Sequence, residues 1–292
     1  MSKRSLAVAL TAIALGAVTT VSAHAEAAGN PVIEIKSVAL GSCWEPGKTD
    51  RVDDIVVLAP CDGSAKQRWE KAPATAGGFV LRNTATGRCV TGWGYLSMWH
   101  CEVEGTDQAV QIVPDVAGAV KLKYGEKFAD SWLAPGVGTR GKWDGPEQKW
   151  LVTEVGTATP PADTAGKVVR IKSHYRQECA TPGQFWPVLA ACDDSTGQRF
   201  GRIELGDGWF QLRSESTGTC VADAKWYPEL APCAAGDNQK WRLDNDSLGL
   251  STIVSAIGNT LYVGPAPDKN VGLTEPMTQN RYAQKWEISA VA

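Results

Sequence analysis

Apolar and polar residues in this chain change places over short runs rather than at helical spacing. Ile55-Val56-Val57-Leu58, Gly78-Phe79-Val80-Leu81, Val120-Lys121-Leu122-Lys123 and Trp209-Phe210-Gln211-Leu212 read as strands. The pairs Asp62-Gly63, Thr86-Gly87, Asp144-Gly145 and Thr217-Gly218 read as the turns between them. No amphipathic helical run follows the apolar N-terminus, so the pattern predicts an all-β protein.

One motif organises the strands. Gln-Lys-Trp stands at Gln148-Lys149-Trp150, Gln239-Lys240-Trp241 and Gln284-Lys285-Trp286, with near variants Gln67-Arg68-Trp69 and Gln198-Arg199-Phe200 and a worn copy Gln108-Ala109-Val110. The glutamines lie 41 and 40 residues apart in one half of the chain, then 41 and 45 in the other. A fixed period of about 40 residues marks supersecondary units that bury their apolar faces against one another. On a strand, Gln and Trp share one face and the basic residue between them takes the other. The indole is expected to pack inward, the cation to meet water, and the glutamine to bond backbone groups of the neighbouring loop.

The two halves echo each other beyond the tripeptide: Ile35-Lys36-Ser37 before Cys43 matches Ile171-Lys172-Ser173 before Cys179, and Leu81-Arg82 matches Leu212-Arg213. Between them, Thr157 to Gly166 is small, polar and carries Pro160-Pro161, a linker composition. Six units could also close into a propeller. The break at the prolines divides them three and three, and cysteine pairs occupy the first and second units of each half but never the third, which favours two β-trefoils. The expected organisation is a signal peptide at 1–25, a trefoil at 31–155, a linker at 156–166 and a trefoil at 167–292.

The N-terminus carries Lys3-Arg4, an apolar run from Leu6 to about Val18, and Ala23-His24-Ala25, the order of a cleaved secretory signal peptide. The run is shorter than the roughly 20 residues a membrane helix needs. Cleavage would remove two cations and no acid, taking the formal charge from −3 to −5. That balance argues against a nucleic-acid partner, which needs clustered cations. The eight cysteines pair most simply within units, Cys43 with Cys61, Cys89 with Cys101, Cys179 with Cys192 and Cys220 with Cys233, although eight allow 105 connectivities. No Cys-x-x-Cys or His-rich spacing suggests a metal, and no cofactor motif is present.

A cysteine pair followed by Gln-x-Trp, three units per half, resembles the ricin B-type β-trefoil lectins. Cys61 to Trp69 and Cys233 to Trp241 carry the resemblance most fully, and it spans about Val32 to Ile288. The structural positions it implies are Gln67, Trp69, Gln148, Trp150, Gln198, Phe200, Gln239, Trp241, Gln284 and Trp286. In that family a unit can hold a shallow sugar site: an acid two places after the first cysteine, a ring two before the second, and Asn before the Gln. Carried over, the acid place holds Glu45, Thr91, Thr181 and Ala222, the ring place Ala59, Trp99, Ala190 and Ala231, and the Asn place Lys66, Asp107, Gly197 and Asn238. Two clusters remain usable, Trp99 with Trp93, and Asp223, Trp226, Asn238 and Gln239; Glu45 is a third, poorer candidate. No hydrolase motif or facing carboxylate pair is seen, so no enzyme is expected. The resemblance implies a secreted, monomeric lectin-like protein that binds glycans or polysaccharide without inserting into membranes. The alternative is a non-catalytic, partner-binding trefoil pair, a toxin-complex or scaffold subunit that has lost sugar binding; a weaker third reading is a hydrolase inhibitor.

Overall fold

The structure, a computed structural model, describes residues 29–50, 52, 54–183, 187–264 and 269–291, except the side chain of Trp93. The expected signal peptide at 1–25 lies outside the described residues. The first half contains β1 (Pro31–Ser37), β2 (Cys43–Gly47), β3 (Ile55–Ala59), β4 (Trp69–Pro73), β5 (Phe79–Asn83), β6 (Cys89–Trp93), β7 (Tyr95–Trp99), β8 (Val110–Pro114), β9 (Val120–Tyr124), β10 (Lys127–Asp130), β11 (Gly138–Arg140) and β12 (Trp150–Thr157). The second contains β13 (Val168–Ser173), β14 (Cys179–Pro182), β15 (Pro187–Ala190), β16 (Phe200–Gly206), β17 (Trp209–Ser214), β18 (Cys220–Asp223), β19 (Pro228–Ala231), β20 (Trp241–Asn245), β21 (Ser251–Ser255), β22 (Thr260–Val263), β23 (Val271–Thr274) and β24 (Trp286–Ala290).

Each half is a β-trefoil. β1 pairs with β4 and β12, β4 with β5, β5 with β8, β8 with β9 and β9 with β12, closing a six-stranded barrel. The same ring recurs through β13, β16, β17, β20, β21 and β24. Closure leaves the barrels no open edge. The remaining strands form three hairpins per half, β2/β3, β6/β7 and β10/β11 in the first, β14/β15, β18/β19 and β22/β23 in the second. β7 links the first three by pairing with both β3 and β11.

The motif explains the closure. Trp69, Trp150, Trp241 and Trp286 are fully buried and Phe200 nearly so, all at the first position of a barrel strand. Their indole nitrogens donate to carbonyls of the hairpin strand or of its start: Trp69 to Trp44, Trp150 to Ala129, Trp241 to Val221 and Trp286 to Leu261, at 2.9–3.3 Å. Burial therefore removes apolar surface from water without stranding a donor. Trp44, outside the motif, is equally buried and meets Trp69 and Trp150 edge-on.

All six glutamines act as clamps. Gln67, Gln108, Gln148, Gln198, Gln239 and Gln284 accept from the amide of Asp62, Glu102, Trp143, Asp193, Ala234 and Met277 and donate to the carbonyl of Pro60, His100, Gly141, Ala191, Pro232 and Glu275. Even the worn copy keeps its clamp, while Val110 replaces the indole. Between Gln and Trp, the backbone carbonyl stitches neighbouring units: those of Arg68, Arg199 and Lys240 accept from Thr84, Glu215 and Ala256, and those of Lys149 and Lys285 reach back to Val38 and His174. The four disulfides link Cys43 to Cys61, Cys89 to Cys101, Cys179 to Cys192 and Cys220 to Cys233, each inside one unit.

Ala72, Val80, Cys89, Cys101 and Val103 of the first barrel share an apolar cluster with Leu248 and Leu250 of the second. Around it Ser247 donates to the Pro73 carbonyl, and Asn30 to that of Ser247, at 2.6 Å each. Here the expected solvent-facing role of the motif's basic residue fails for Lys285. Its side chain is buried at this seam, with Nζ 3.0 Å from Asp246 and 3.4 Å from Glu104.

Candidate functional site

The strongest surface constellation belongs to the third unit of the first trefoil, which the cysteine register could not align. Asp130 ends β10, fully buried, and accepts from the backbone amide of Trp132 at 2.9 Å and from Nε2 of Gln148 at 3.0 Å. Gln148 also accepts the amide of Trp143 at 2.7 Å, so a single buried pair fixes the backbone under two indoles. Those indoles face water: Trp132 is 59% and Trp143 52% exposed. Between them the guanidinium of Arg140, at the end of β11, lies 5.4 Å from the Trp132 ring centroid and 5.8 Å from that of Trp143. The Trp143 indole nitrogen donates to Glu147 at 3.4 Å. A Cβ at position 145 would collide with the Trp143 nitrogen and the Glu147 carboxylate, so a larger residue there would push both side chains aside.

The second constellation is the loop between β18 and β19. Trp226 is 75% exposed, and Asn238 and Tyr227 are also exposed, while Gln239 is buried beneath. Asp223 is only 3% exposed. Its oxygens accept from Lys225 N at 2.8 Å, Ser255 Oγ at 2.6 Å and Asn259 Nδ2 at 3.0 and 3.2 Å. The structure thus places Asp223 as a strut under the Trp226 loop and does not join its carboxylate to Gln239, whereas Asp130 meets Gln148. Glu45 does meet its glutamine, accepting from Gln67 Nε2 at 3.1 Å, but the ring place opposite holds Ala59.

Trp99 is 52% exposed and stands at the edge of the seam. Its neighbour His100 stacks on Tyr282 of the second trefoil at 5.3 Å and meets Tyr175 edge-on at 4.8 Å. The side chain of Trp93 lies outside the described residues. His174 meets the Cys101 amide through Nε2 at 3.3 Å and Glu287 through Nδ1 at 3.1 Å. A nearby cleft of about 570 Å³ between the barrels is lined by Glu70, Arg82 and Glu287, with Glu70 engaged by Arg82 at 2.8 Å and Glu287 by His174.

Burial, then the charges of His174 and Arg88, pushes His100 from the ordinary value of 6.5 down to about 4. The unfolded chain therefore binds the extra proton first as pH falls, and stability present above 6.5 drains away between 6.5 and about 4. Glu287 works lower: burial raises its pKa, but the His174 hydrogen bond and the Lys172 charge outweigh this and hold it at about 2, so its contribution fades only below 4.5. Melting temperature should fall from pH 6.5 to 4.5, and His100→Phe should flatten that slope. An unchanged slope in the variant would remove His100 as its origin.

A family model described as ricin-type beta-trefoil lectin domain-like matches residues 20–98, the stretch holding the first unit and most of the second. The remaining units repeat its glutamine clamp and strand plan. That match supports, over residues 20–98, the resemblance to the ricin B-type β-trefoil lectins. No curated protein matches its sequence. Among solved structures, the Macrolepiota procera ricin B-like lectin in complex with lactose is 15% identical over 44% of this chain and 97% of its own, with a TM-score of 0.37. The designed three-fold symmetric protein ThreeFoil is 15% identical over 42% and 99%, at 0.39. A mosquitocidal holotoxin is 14% identical over 90% of this chain, at 0.39, and this chain spans 34% of the toxin's length.

Sequence reasoning missed Asp130, Trp132, Arg140 and Trp143. The usable signal was the distance to the following glutamine: two tryptophans outside the core motif, Trp132 and Trp143, lie in the 17 residues between Asp130 and Gln148.

Proposed function

We propose that this protein is an exported carbohydrate-binding protein whose two trefoil modules, bounded as read from the sequence, carry a few surviving sugar sites among worn ones. The supporting observation is the division of its tryptophans. Those of the barrel motif are buried and hydrogen-bonded, whereas Trp132 and Trp226 on hairpin loops and Trp143 just after β11 stand exposed, braced by buried polar groups. An exposed flat ring beside directional donors and acceptors suits a sugar, which offers C–H bonds on one face and hydroxyls at its edge. Sites of this shallowness are weak singly, and joining two modules raises avidity on a surface bearing many copies of the ligand. The disulfides support an oxidising destination. Of the positions read from the sequence, Trp226 and Asn238 with Gln239 remain direct candidates, Trp99 and Glu45 are secondary, and Asp223 acts through the loop.

The partner-binding alternative draws support from the alanines in three ring places and from the way Asp223 is already saturated by protein donors. A glycan array separates the two. Wild-type protein is expected to bind, and Trp143→Ala and Trp226→Ala are each expected to weaken binding by about 10-fold or more, the scale of losing a sugar-stacking ring. A wild type that binds no glycan at high concentration would favour the alternative.

A further inference from the structure

The Trp132, Arg140 and Trp143 cluster carries more than a generic sugar platform. We propose, building on the carbohydrate-binding reading above, that the third-unit site of the first trefoil selects anionic glycans, those bearing a carboxylate or sulfate group, through Arg140.

Arg140 is exposed with its guanidinium carbon 5.4 and 5.8 Å from the two indole centroids, and a guanidinium drawn to ring faces in this way keeps N–H groups available to a ligand. Arg140 makes no ion pair among the described residues, and neither does its exposed neighbour Lys142. The acids around it are otherwise employed. Asp144 is bound by Lys121 Nζ at 2.7 Å, and that hydrogen bond and charge hold its carboxyl below the usual range. Asp115 lies 3.8 Å from Lys121 and 3.9 Å from Lys149. Asp130 is spent on Trp132 and Gln148, and Glu147 accepts from the Trp143 indole. What remains presented to a ligand is a fixed, planar cation with aromatic surface on either side. A carboxylate or sulfate meets the donor edge of such a group in bidentate fashion while the adjoining sugar ring lies on an indole. The backbone under both indoles is braced by Asp130 and Gln148, which limits the ordering cost of binding against these rings.

The test is a titration of the full-length mature chain with matched oligosaccharides, each in a neutral, a carboxylated and a sulfated form, at low and high salt. Carboxylated or sulfated forms should bind about 10-fold or more tighter than the neutral one, and the preference should shrink as salt rises. Arg140→Gln should abolish the preference for anionic over neutral forms with the melting temperature unchanged, and Arg140→Lys should restore it only in part. The carboxylated and sulfated arms tell which anion is preferred. Equal binding of neutral and anionic forms, or a preference that survives Arg140→Gln, overturns this inference and leaves the carbohydrate reading standing. Absence of binding to every form overturns both.

Discussion

Trp150→Ala is expected to melt the first trefoil roughly 10–20 °C below its wild-type transition, from a core loss of about 3–5 kcal/mol spread over a domain of this size. The side chain is fully buried, stands 5.1 Å from Trp44 in an edge-on contact, and donates from its indole nitrogen to Ala129. Its strand, β12, is the closing strand of the barrel, pairing along its length with β1 and at Trp150 itself with β9. Alanine would leave a cavity at the convergence of three tryptophans and free the Ala129 carbonyl. Scanning calorimetry on wild type, Trp150→Ala and Trp286→Ala provides the check. The second variant should lower the transition of the other trefoil instead, and the exposed Trp143→Ala should move neither by more than a few degrees. A Trp150→Ala protein melting with the wild type would refute the view that inward indoles hold each barrel closed.

That view was legible in the sequence because the motif repeats six times and its residues act by rules that need no tertiary detail. A period-two strand must put Gln and Trp on one side, and a buried amide must find a donor and an acceptor. The clamp at Gln108 shows which half of the motif is the more demanding, since Val110 can replace an indole while no other side chain at position 108 would supply both hydrogen bonds with that reach. The binding surface was less legible. Its best cluster lies in the unit without cysteines, where no covalent marker sets the register, and the hairpin loop between Asp130 and Gln148 has its own length. Asp223 illustrates the opposite error: it sits near the expected acid position, but Ser255 and Asn259 come from the following unit, 32 and 36 residues away, and only the fold brings them onto its oxygens. Trp44 was hidden for the same reason, being core by virtue of three-fold packing rather than of any local pattern.

Lys285→Met should cost the whole protein about 3–5 kcal/mol, the scale of stripping one partner from a buried ionic cluster. The residue belongs to a motif whose middle position faces water in isolation, and Arg68, nearly half exposed, behaves that way. Lys285 differs because its strand end meets the other trefoil. Its ammonium sits between Asp246, as buried as itself, and Glu104 from across the seam. Asp246 also accepts the amides of Leu248 and Leu250, the two residues that enter the shared apolar cluster. Removing the ammonium strips buried Asp246 of its counter-charge and leaves Glu104 with Arg281, 3.8 Å away, so the trefoils should separate before either barrel melts. Urea unfolding should show lost stability, and small-angle scattering an increased radius of gyration below the main transition. Adding Asp246→Asn to Lys285→Met should recover part of the loss by removing one stranded charge. If Lys285→Met left both stability and radius unchanged, the charge cluster would not be what docks the barrels, and the apolar contact of Val80 and Val103 with Leu248 and Leu250, the His100 ring contacts and the Ser247 hydrogen bond would have to hold them together.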